Sequence, residues 1–502
     1  MASDCIAHTE NWHPSGGLLA HRRAPLLDCA SRTRFHHASP EVPLRSAVLA
    51  AALVGLGLAA PPPAPGFAAS PAATDAAVTA GSLPVERHTL SNGLVVLTHE
   101  DHSVPTIAFW QWYRVGSRNE APGITGISHF FEHMMFNGSK HVAPKEYDRI
   151  LESNGGYSNA FTDRDMTAYY EEVASDRLET VLFLDSDRMA ALSLLPEQLK
   201  SEIEVVKEER RLRIDNDIAG MLDEQLYATA FTASPYHWPV LGWMGDLNRI
   251  PRDEMVSYFR THYAPNNCIL VLTGDFETRT AVAQIQKAFG GIPAQKPPGE
   301  PVNSEPEQKG ERRAEVHYPA QDVSFDIGYQ APSVKSPDSF VLDVLSSILS
   351  DGESSRLHQA LVYEQQIALS ANTSFQTRLD PTLFEIYVEM KPGRAALEGE
   401  KAVDQVLAKL EAEGPTPREL EKAKNQLEAN FVRQLKTNNG VGQTIGFYEH
   451  VYGDFRRMFE TVPKYRSVTA ADCKRVAKQV FDSRRRTVVT LVPEKEGAAP
   501  SP

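Results

Sequence analysis

The same order of predicted elements occurs twice in this chain of 502 residues, on either side of a proline-rich segment. In the first half, the β-branched and aromatic run Ile107–Val115 predicts a strand, and a loop leads from it to a helix around residue 129. In the second half, Val323–Tyr329 predicts a strand, and a loop leads to a helix over Phe340–Leu349. Each helix is followed by a glycine. This recurrence indicates a divergent internal duplication, so we expect two similar halves.

Both halves mix strands with helices, which defines the predicted fold class. In the first half, Ser91-Asn92-Gly93 lies between two extended segments and predicts a hairpin. Tyr157–Val173 predicts two further strands, and helical patterns follow up to residue 289 with one strand among them. In the second half, strands predicted near 368–376, 383–390 and 487–492 enclose several helices. We therefore predict an α+β protein of two mixed α/β domains.

Composition sets the predicted domain boundaries. Pro293–Glu311 contains five prolines separated mainly by Lys, Gln and Glu, which is typical of a linker. Residues 70–82 consist largely of Ala, Pro and Thr and offer little to bury. The predicted parts are a leader over 1–69, a tether over 70–82, an N-terminal domain over 83–294, a linker over 295–312, a C-terminal domain over 313–495 and a tail over 496–502.

The leader contains one apolar run, Ala47–Ala60, which is short for a membrane span and fits the hydrophobic region of a signal peptide. Cleavage is expected near Phe67–Ser70, and we predict export, with the bacterial periplasm as destination. Residues 1–44 are long for the region before such a run, so we expect the true start at Val42 or Leu44. Alternatives are an organelle transit peptide, leading to a mitochondrial or other matrix, and an uncleaved anchor.

Charge and cysteine content exclude some classes of protein. The formal net charge is −14, which argues against nucleic acid as the main partner. Beyond the leader we expect no stable transmembrane span. The four cysteines include no CxxC pair, so neither a thiolate zinc site nor a dense disulfide framework is indicated. Only Cys268 and Cys473 lie beyond the leader, and a bridge between them stays open.

The segment Gly126–Ser139 carries the strongest chemical signal. His129 and His133 lie one turn apart on one face of a predicted helix, and Glu132 lies beside them. Imidazoles at this spacing can chelate zinc and leave the glutamate free to accept a proton from metal-bound water. The order H-x-x-E-H is that of the inverted zincins. The alternative is a helix with one polar face, but the flanking Phe and Met residues place the polar trio against a core.

A catalytic zinc usually has a third protein ligand, and the helix predicted over residues 196–216 carries five glutamates. Most of these must be solvated. Glu202 and Glu209 are seven residues apart and share a face, so both could point to one site. Spacing alone does not choose between them.

Several segments together resemble one protein family. They are HFFEH at 129–133, NGGYSNAFT at 154–162, EIEVVKEE at 202–209, YAPNNCILVLTGDF at 263–276, and GYQAPS and DGESSRL in the second half. In order and spacing they resemble the mitochondrial processing peptidase and pitrilysin group of metallopeptidases, most closely its bacterial two-domain branch. The resemblance extends from about Leu83 to Pro493.

The resemblance implies a fold, a cofactor and an activity. The fold is two homologous domains in a clam-shell arrangement, each an antiparallel-rich sheet covered by helices. One zinc ion per chain would be held by His129, His133 and Glu209, with Glu132 as the base and Glu202 as a supporting outer residue. The activity is that of a zinc endopeptidase that cleaves peptides or unfolded segments. Peptides would bind as an added strand along Ser158, Asn159, Ala160, Phe161 and Thr162.

The second half departs from the pattern of self-sufficient relatives. Those relatives carry an Arg and a Tyr seven residues apart after the GxSSRL-like stretch, and the corresponding positions here are Val362 and Leu369. We therefore expect a heterodimer in which a homologous subunit supplies the Arg and the Tyr, with a homodimer as the simpler alternative. A noncatalytic peptide-binding or assembly subunit is the competing function. A structural metal protein would use a closed four-ligand site and would not need Glu132.

Overall fold

The computed structural model describes residues 83–301 and 304–494. The predicted leader, its cleavage site, the tether and the tail all lie outside the described residues. Among the described residues, no helix is both long and apolar enough to cross a membrane.

A six-stranded sheet organises the first half. Its order is β1-β2-β6-β3-β5-β4, with β2 and β6 parallel and the other neighbours antiparallel. Gly93 adopts a left-handed φ of 84° in the β1–β2 turn, so the predicted hairpin is confirmed. The strands are β1 (Glu86–Thr89), β2 (Val95–Glu100), β3 (Thr106–Tyr113), β4 (Tyr157–Thr162), β5 (Thr167–Ala174) and β6 (Cys268–Gly274).

Helices of the first half cover one face of this sheet. Buried side chains from α1, α3, α7 and α8 share a core with alternate residues of β2, β3, β5 and β6. A π-helical segment, Arg211–Asp215, continues directly from α4. The helices are α1 (Ile127–Met134), α2 (Glu146–Ser153), α3 (Leu178–Ala191), α4 (Pro196–Arg210), α5 (Ile218–Ala230), α6 (Met244–Leu247), α7 (Arg252–His262) and α8 (Thr278–Phe289).

A five-stranded sheet organises the second half, in the order β7-β11-β8-β10-β9. The strands are β7 (Arg312–Pro319), β8 (Ser324–Ala331), β9 (Ala368–Phe375), β10 (Thr382–Met390) and β11 (Arg486–Glu494). The helices are α9 (Asp338–Ser350), α10 (Ala396–Glu413), α11 (Pro417–Gln434), α12 (Asn438–Tyr452), α13 (Thr461–Ser467) and α14 (Ala470–Val480). Helices α9, α10, α11 and α14 cover one face.

The two sheets confirm the predicted duplication. Strands β2 to β6 and β7 to β11 occur in the same chain order, the same sheet order and the same relative directions, with one parallel pair in each sheet. The sequence prediction omitted β7, because its outward residues are charged and it follows the proline-rich segment without a break. Its alternate residues Ala314, Val316 and Tyr318 pack inward.

The halves exchange helices across their interface. Helix α5 of the first half packs on the second sheet, where Leu222 and Leu226 share a core with Val489 and Leu491. Helix α12 of the second half packs on the first sheet, with Ile445 in a core that includes strand β3. Each sheet therefore has one face covered by its own half and one covered by a helix from the other half.

Close approach of α12 to the first sheet depends on two glycines. A Cβ at Gly442 would lie 2.7 Å from Trp110 Cδ1, and one at Gly446 would overlap the indole of Trp112. Both tryptophans are buried in the sheet. Any side chain at these positions would push the helix away from the strands.

The proline-rich segment is tied to the first half at several points. The Glu305 carboxylate accepts backbone hydrogen bonds from Thr232, Ala233 and Ser234 at 2.8 to 3.0 Å. Glu300 lies 3.1 Å from a guanidinium nitrogen of Arg118. The segment contains no helix or strand among its described residues, but these contacts hold it on the surface.

The two cysteines beyond the leader are both free and buried. Cys268 belongs to the core of the first half and Cys473 to that of the second half. The bridge that the sequence left open is therefore not formed.

Candidate metal centre

Helix α1 is fixed at its N-terminus by a buried carboxylate. Glu120 accepts hydrogen bonds from the backbone N–H groups of Gly126 and Ser128, both at 2.8 Å. These donors belong to the first turn, whose amides have no partner within the helix. Burial is the largest influence on the Glu120 carboxyl and raises its pKa to about 8. Glu120 thus ties the start of the helix to the loop that precedes it.

The polar residues of α1 lie against the core, as the sequence predicted. His129 and Glu132 are almost fully buried, at 1% and 2% exposure. Phe131 packs in the same core, and its carbonyl accepts a hydrogen bond from Tyr169 at 3.2 Å. Phe131 is therefore anchored by packing and by the hydrogen bond to β5, which fixes the rotation of the helix about its axis.

Helix α4 brings a carboxylate to both imidazoles. Glu209 Oε2 lies 3.0 Å from His133 Nε2 and 3.5 Å from His129 Nε2. One ligand atom from each of these three residues lies within 4.8 Å of the other two, and no other such group was found among the described residues. The structure thus brings together the three residues proposed as ligands.

Glu202 contacts His133 from the other side. Its Oε1 lies 3.0 Å from His133 Nδ1, while its Oε2 accepts a hydrogen bond from Asn137 Nδ2 at 2.8 Å. An imidazole that donates through Nδ1 presents the lone pair of Nε2, so Glu202 selects the tautomer that binds a metal through Nε2. The structure thus places Glu202 against His133, and its supporting role stays a prediction.

Two features of these side chains suit a zinc ion, namely the type of their donor atoms and the surroundings of the His129 ring. Two imidazole nitrogens and one carboxylate oxygen form a donor set used by catalytic zinc sites, which keep a further position open. Neither ring nitrogen of His129 has a hydrogen-bond partner among the described residues, although the side chain is buried. A buried polar group without a partner is costly, and a cation between these residues would satisfy Nε2 of His129.

The ionisation of the four groups depends on burial and on their contacts. Burial lowers the pKa of His129 to about 3, and the charge of His133 acts in the same direction. Burial also lowers the pKa of His133, but hydrogen bonds to Glu202 and Glu209 outweigh it and raise the pKa to about 10. For Glu209, burial raises the pKa, and the hydrogen bond to His133 with the nearby positive charges brings it to about 2. Burial raises the pKa of Glu132 to about 7.

The predicted peptide-binding segment is an edge strand. Ser158, Asn159, Ala160, Phe161 and Thr162 all lie in β4, which is at one end of the first sheet and pairs with β5 alone among the described strands. Helix α1 contacts β4, and the Thr162 side chain lowers the pKa of the Glu132 carboxyl, against the larger effect of burial. The free edge therefore runs next to the helix that carries the polar trio.

The two apolar positions of the second half differ in their surroundings. Val362 is partly buried and packs against the core of the second half, while Leu369 on β9 is 46% exposed. Nearby Arg356 pairs with Glu419 at 2.7 Å and donates to the Gly414 carbonyl at 2.9 Å. These contacts give Arg356 a structural role.

Sequence reasoning missed three residues around the site. Glu120 lies nine residues before His129 and offers no periodic signal, because its role depends on the intervening loop. Asn137 lies four residues after His133, and Arg213 lies four residues after Glu209, so helical spacing could have suggested both.

A duplicated α+β fold with H-x-x-E-H on a buried helix defines a class of protein, the two-domain peptidases of the inverted-zincin type. Comparison with known families agrees. Residues 95–242 match the family described as insulinase (peptidase family M16), and residues 249–427 match the one described as peptidase M16 inactive domain. The chain belongs to the M16 family of peptidases.

Similar proteins from bacteria are named as zinc proteases. The chain is 31% identical to zinc protease PqqE of Helicobacter pylori over 412 residues, covering 81% of this chain and 93% of that protein. It is 25% identical to the uncharacterized zinc protease YmxG of Bacillus subtilis over 399 residues, covering 79% and 96%.

Solved structures agree with the fold. A protease from Helicobacter pylori superimposes with a TM-score of 0.79 at 31% identity, covering 82% of this chain and all of that one. An M16 inactive domain from Pseudomonas fluorescens gives 0.74 at 17% identity, covering 84% of this chain and all of that one, which shows the fold alone. The predicted two-domain α+β, clam-shell architecture is therefore confirmed.

Proposed function

We propose that this chain is a zinc-dependent endopeptidase that cleaves peptides or unfolded protein segments. The observation that carries the proposal is the convergence of His129, His133 and Glu209 within 4.8 Å, with Glu132 between the two histidines in the sequence of α1. The names of the relatives as zinc proteases support it. One zinc ion per chain is expected.

The residues of the site divide the chemical work. A zinc ion held by the two imidazoles and Glu209 would polarise the scissile carbonyl and acidify a water molecule. Glu132 accepts a proton from the attacking water and later passes it to the leaving amine. Its pKa of about 7, raised by burial, suits a group that must both accept and release a proton near neutrality. Glu202 keeps His133 in the tautomer that binds through Nε2.

The free edge of β4 supports a peptide substrate. An extended peptide that added to this edge would pair through its main chain, which gives affinity with little sequence preference. Folded proteins rarely offer an unpaired extended segment, so peptides and unfolded segments are the substrates that this mode selects. The residues involved would be Ser158–Thr162.

Val362 and Leu369 are the reason to propose a partner subunit. Neither side chain can donate a hydrogen bond to a developing oxyanion, and loss of one such donor costs about two to three orders of magnitude in rate. We propose a heterodimer in which a homologous subunit supplies an Arg and a Tyr. A homodimer would repeat the same two apolar residues.

The same two positions favour one alternative function, a noncatalytic subunit that binds peptides or assists assembly. That function does not require Glu132 as a base, and it predicts no cleavage in any combination of subunits.

Export to the bacterial periplasm is also part of the proposal. It is supported by the apolar run at residues 47–60, which fits the hydrophobic region of a signal peptide.

The test is cleavage of a quenched-fluorescence set of unstructured peptides by wild type and Glu132→Gln. Each is assayed alone and mixed with a homologous subunit that carries the Arg and the Tyr. We expect weak cleavage by wild type alone and a rise of about two to three orders of magnitude in the mixture. Glu132→Gln should reduce the rate by about two to four orders of magnitude while zinc stays bound.

Three outcomes would contradict parts of this proposal. Full activity of Glu132→Gln would contradict the assigned base. Full activity of monomeric wild type would exclude the need for a partner. Absence of cleavage in the mixture, with zinc bound, would favour the noncatalytic alternative.

A further inference from the structure

The two carboxylate oxygens of Glu209 face different partners. Oε2 points to the imidazoles, 3.0 Å from His133 Nε2 and 3.5 Å from His129 Nε2. Oε1 forms an ion pair with Arg213, four residues further along the chain, at 2.8 Å from its Nε but without hydrogen-bond geometry. The two oxygens are therefore not equivalent, and the guanidinium contact distinguishes them.

The backbone that carries Arg213 is wound differently from the rest of the helix. Residues 211–215 form a π-helical turn directly after α4, and such turns are rare and often found at functional sites. The wider turn follows immediately after Glu209 and Arg210. It changes the direction in which Arg213 projects relative to a regular helix.

This turn is held from both ends. Arg210 donates to Glu224 at 2.6 and 2.9 Å and to the Gly242 carbonyl at 2.8 Å. At the other end, α5 approaches so closely that a Cβ at Gly220 would overlap the Arg213 carbonyl oxygen. Glycine at position 220 and the ion pair of Arg210 thus fix the main chain of residue 213.

We propose that Arg213 is a positioning residue that holds Oε1 of Glu209, so that Glu209 binds zinc through Oε2 alone. A carboxylate can bind zinc through one oxygen or two, and two would use the position that water and substrate need. The positive charge of the guanidinium attracts Oε1 at 2.8 Å, which leaves Oε2 to face the imidazoles. This inference rests on the proposed function, because it concerns the ligand Glu209.

A matched control lies two residues away. Arg211 belongs to the same π-helical turn and, like Arg213, pairs with a glutamate earlier in the chain. Its partner is Glu208, three residues before it. Both members of that pair are exposed, at 43% and 68%, and neither belongs to the metal centre. Arg211→Gln therefore removes the same charge from the same segment without changing the contact of Glu209.

The experiment compares wild type, Arg213→Gln, Arg213→Lys and Arg211→Gln in two measurements on the full chain. Chelator competition gives the zinc dissociation constant, and the visible spectrum of the cobalt-substituted protein reports coordination number. Cobalt with four ligands absorbs more strongly than cobalt with five or six. Zinc must first be shown to bind wild type.

Arg213→Gln should weaken zinc binding by about 10- to 100-fold and lower the cobalt absorption, because Glu209 can then use both oxygens. Arg211→Gln should match wild type. Arg213→Lys keeps the charge without the planar fork, and we expect its spectrum to lie between the two. If Arg213→Gln does not fold, the lysine variant provides the same test.

An unchanged cobalt spectrum in the Arg213 variants would overturn the inference, whatever their affinity, and would leave the proposed function intact. Failure of wild type itself to bind zinc would instead contradict the proposed function. The two failures are therefore distinguishable.

Discussion

At the scale of single residues, His133 is the best-defined side chain of the site. Both of its ring nitrogens face carboxylates, Glu202 at 3.0 Å from Nδ1 and Glu209 at 3.0 Å from Nε2. In the part of the chain that the structure describes, His129 has no hydrogen-bond partner at either nitrogen. The contrast indicates that the protein sets the orientation of one imidazole through Glu202 and leaves the other to the cation.

Replacement of Glu202 by Gln should weaken zinc binding by about 10- to 100-fold, because the amide cannot accept the Nδ1–H hydrogen bond as a carboxylate does. The measurement is the zinc dissociation constant by chelator competition. The control is Glu204→Gln on the same helix, where the side chain is 57% exposed and pairs with Lys207. Equal affinity in Glu202→Gln and wild type would refute the orienting role.

How much of the site the sequence predicts depends on the origin of each contact. His129, Glu132 and His133 follow from helical spacing within one segment. Glu209 was selected by the resemblance, because helix periodicity alone could not choose among five glutamates on α4. The spacing of four residues between Glu209 and Arg213 could have suggested their contact, but the π-helical turn that carries Arg213 has no periodic signal in the sequence.

At the scale of elements, exchange of α5 and α12 is the main feature that the sequence did not predict. Both helices lie in regions predicted to be helical, but no pattern in a helix tells which of two similar sheets it will cover. The strands β2 to β6 were predicted from β-branched and aromatic runs with the correct order along the chain. Strand β7 was missed because its outward positions resemble the charged linker before it.

Replacement of Gly446 by Ala should destabilise the protein by about 1–3 kcal/mol, although alanine normally favours a helix, because the new methyl group overlaps Trp112. Chemical denaturation measures the change in free energy of unfolding. Gly245→Ala in α6 is the control, since a Cβ there meets no atom within 4 Å. A stabilised Gly446→Ala protein would show that α12 is not packed on the sheet as described.

At the scale of the whole molecule, the exchange makes each half depend on the other for one face of its sheet. Loss of α12 would expose Trp110 and Trp112, and loss of α5 would expose the face of the second sheet that contains Val489 and Leu491. Buried ion pairs add to this coupling, such as Arg378 with Asp163 at 2.7 Å. The halves are therefore expected to fold as one unit.

We expect a single cooperative unfolding transition in denaturant. Tryptophan fluorescence reports on the first half, because all four tryptophans of the described residues lie there, whereas far-ultraviolet circular dichroism reports on the helices of both halves. The two signals should change at the same midpoint. Two separated midpoints, or stable folding of residues 83–294 alone, would contradict the coupling.

The account depends most on the metal centre, and zinc content per chain tests it most directly. Purified protein, exposed to zinc and then freed of unbound metal, should retain one zinc ion per chain in wild type and in His141→Ala, whose exposed imidazole pairs with Asp187. His129→Ala and Glu209→Ala should retain little zinc while their circular dichroism stays native. Wild type without stoichiometric zinc, or full retention by both ligand variants, would contradict the account.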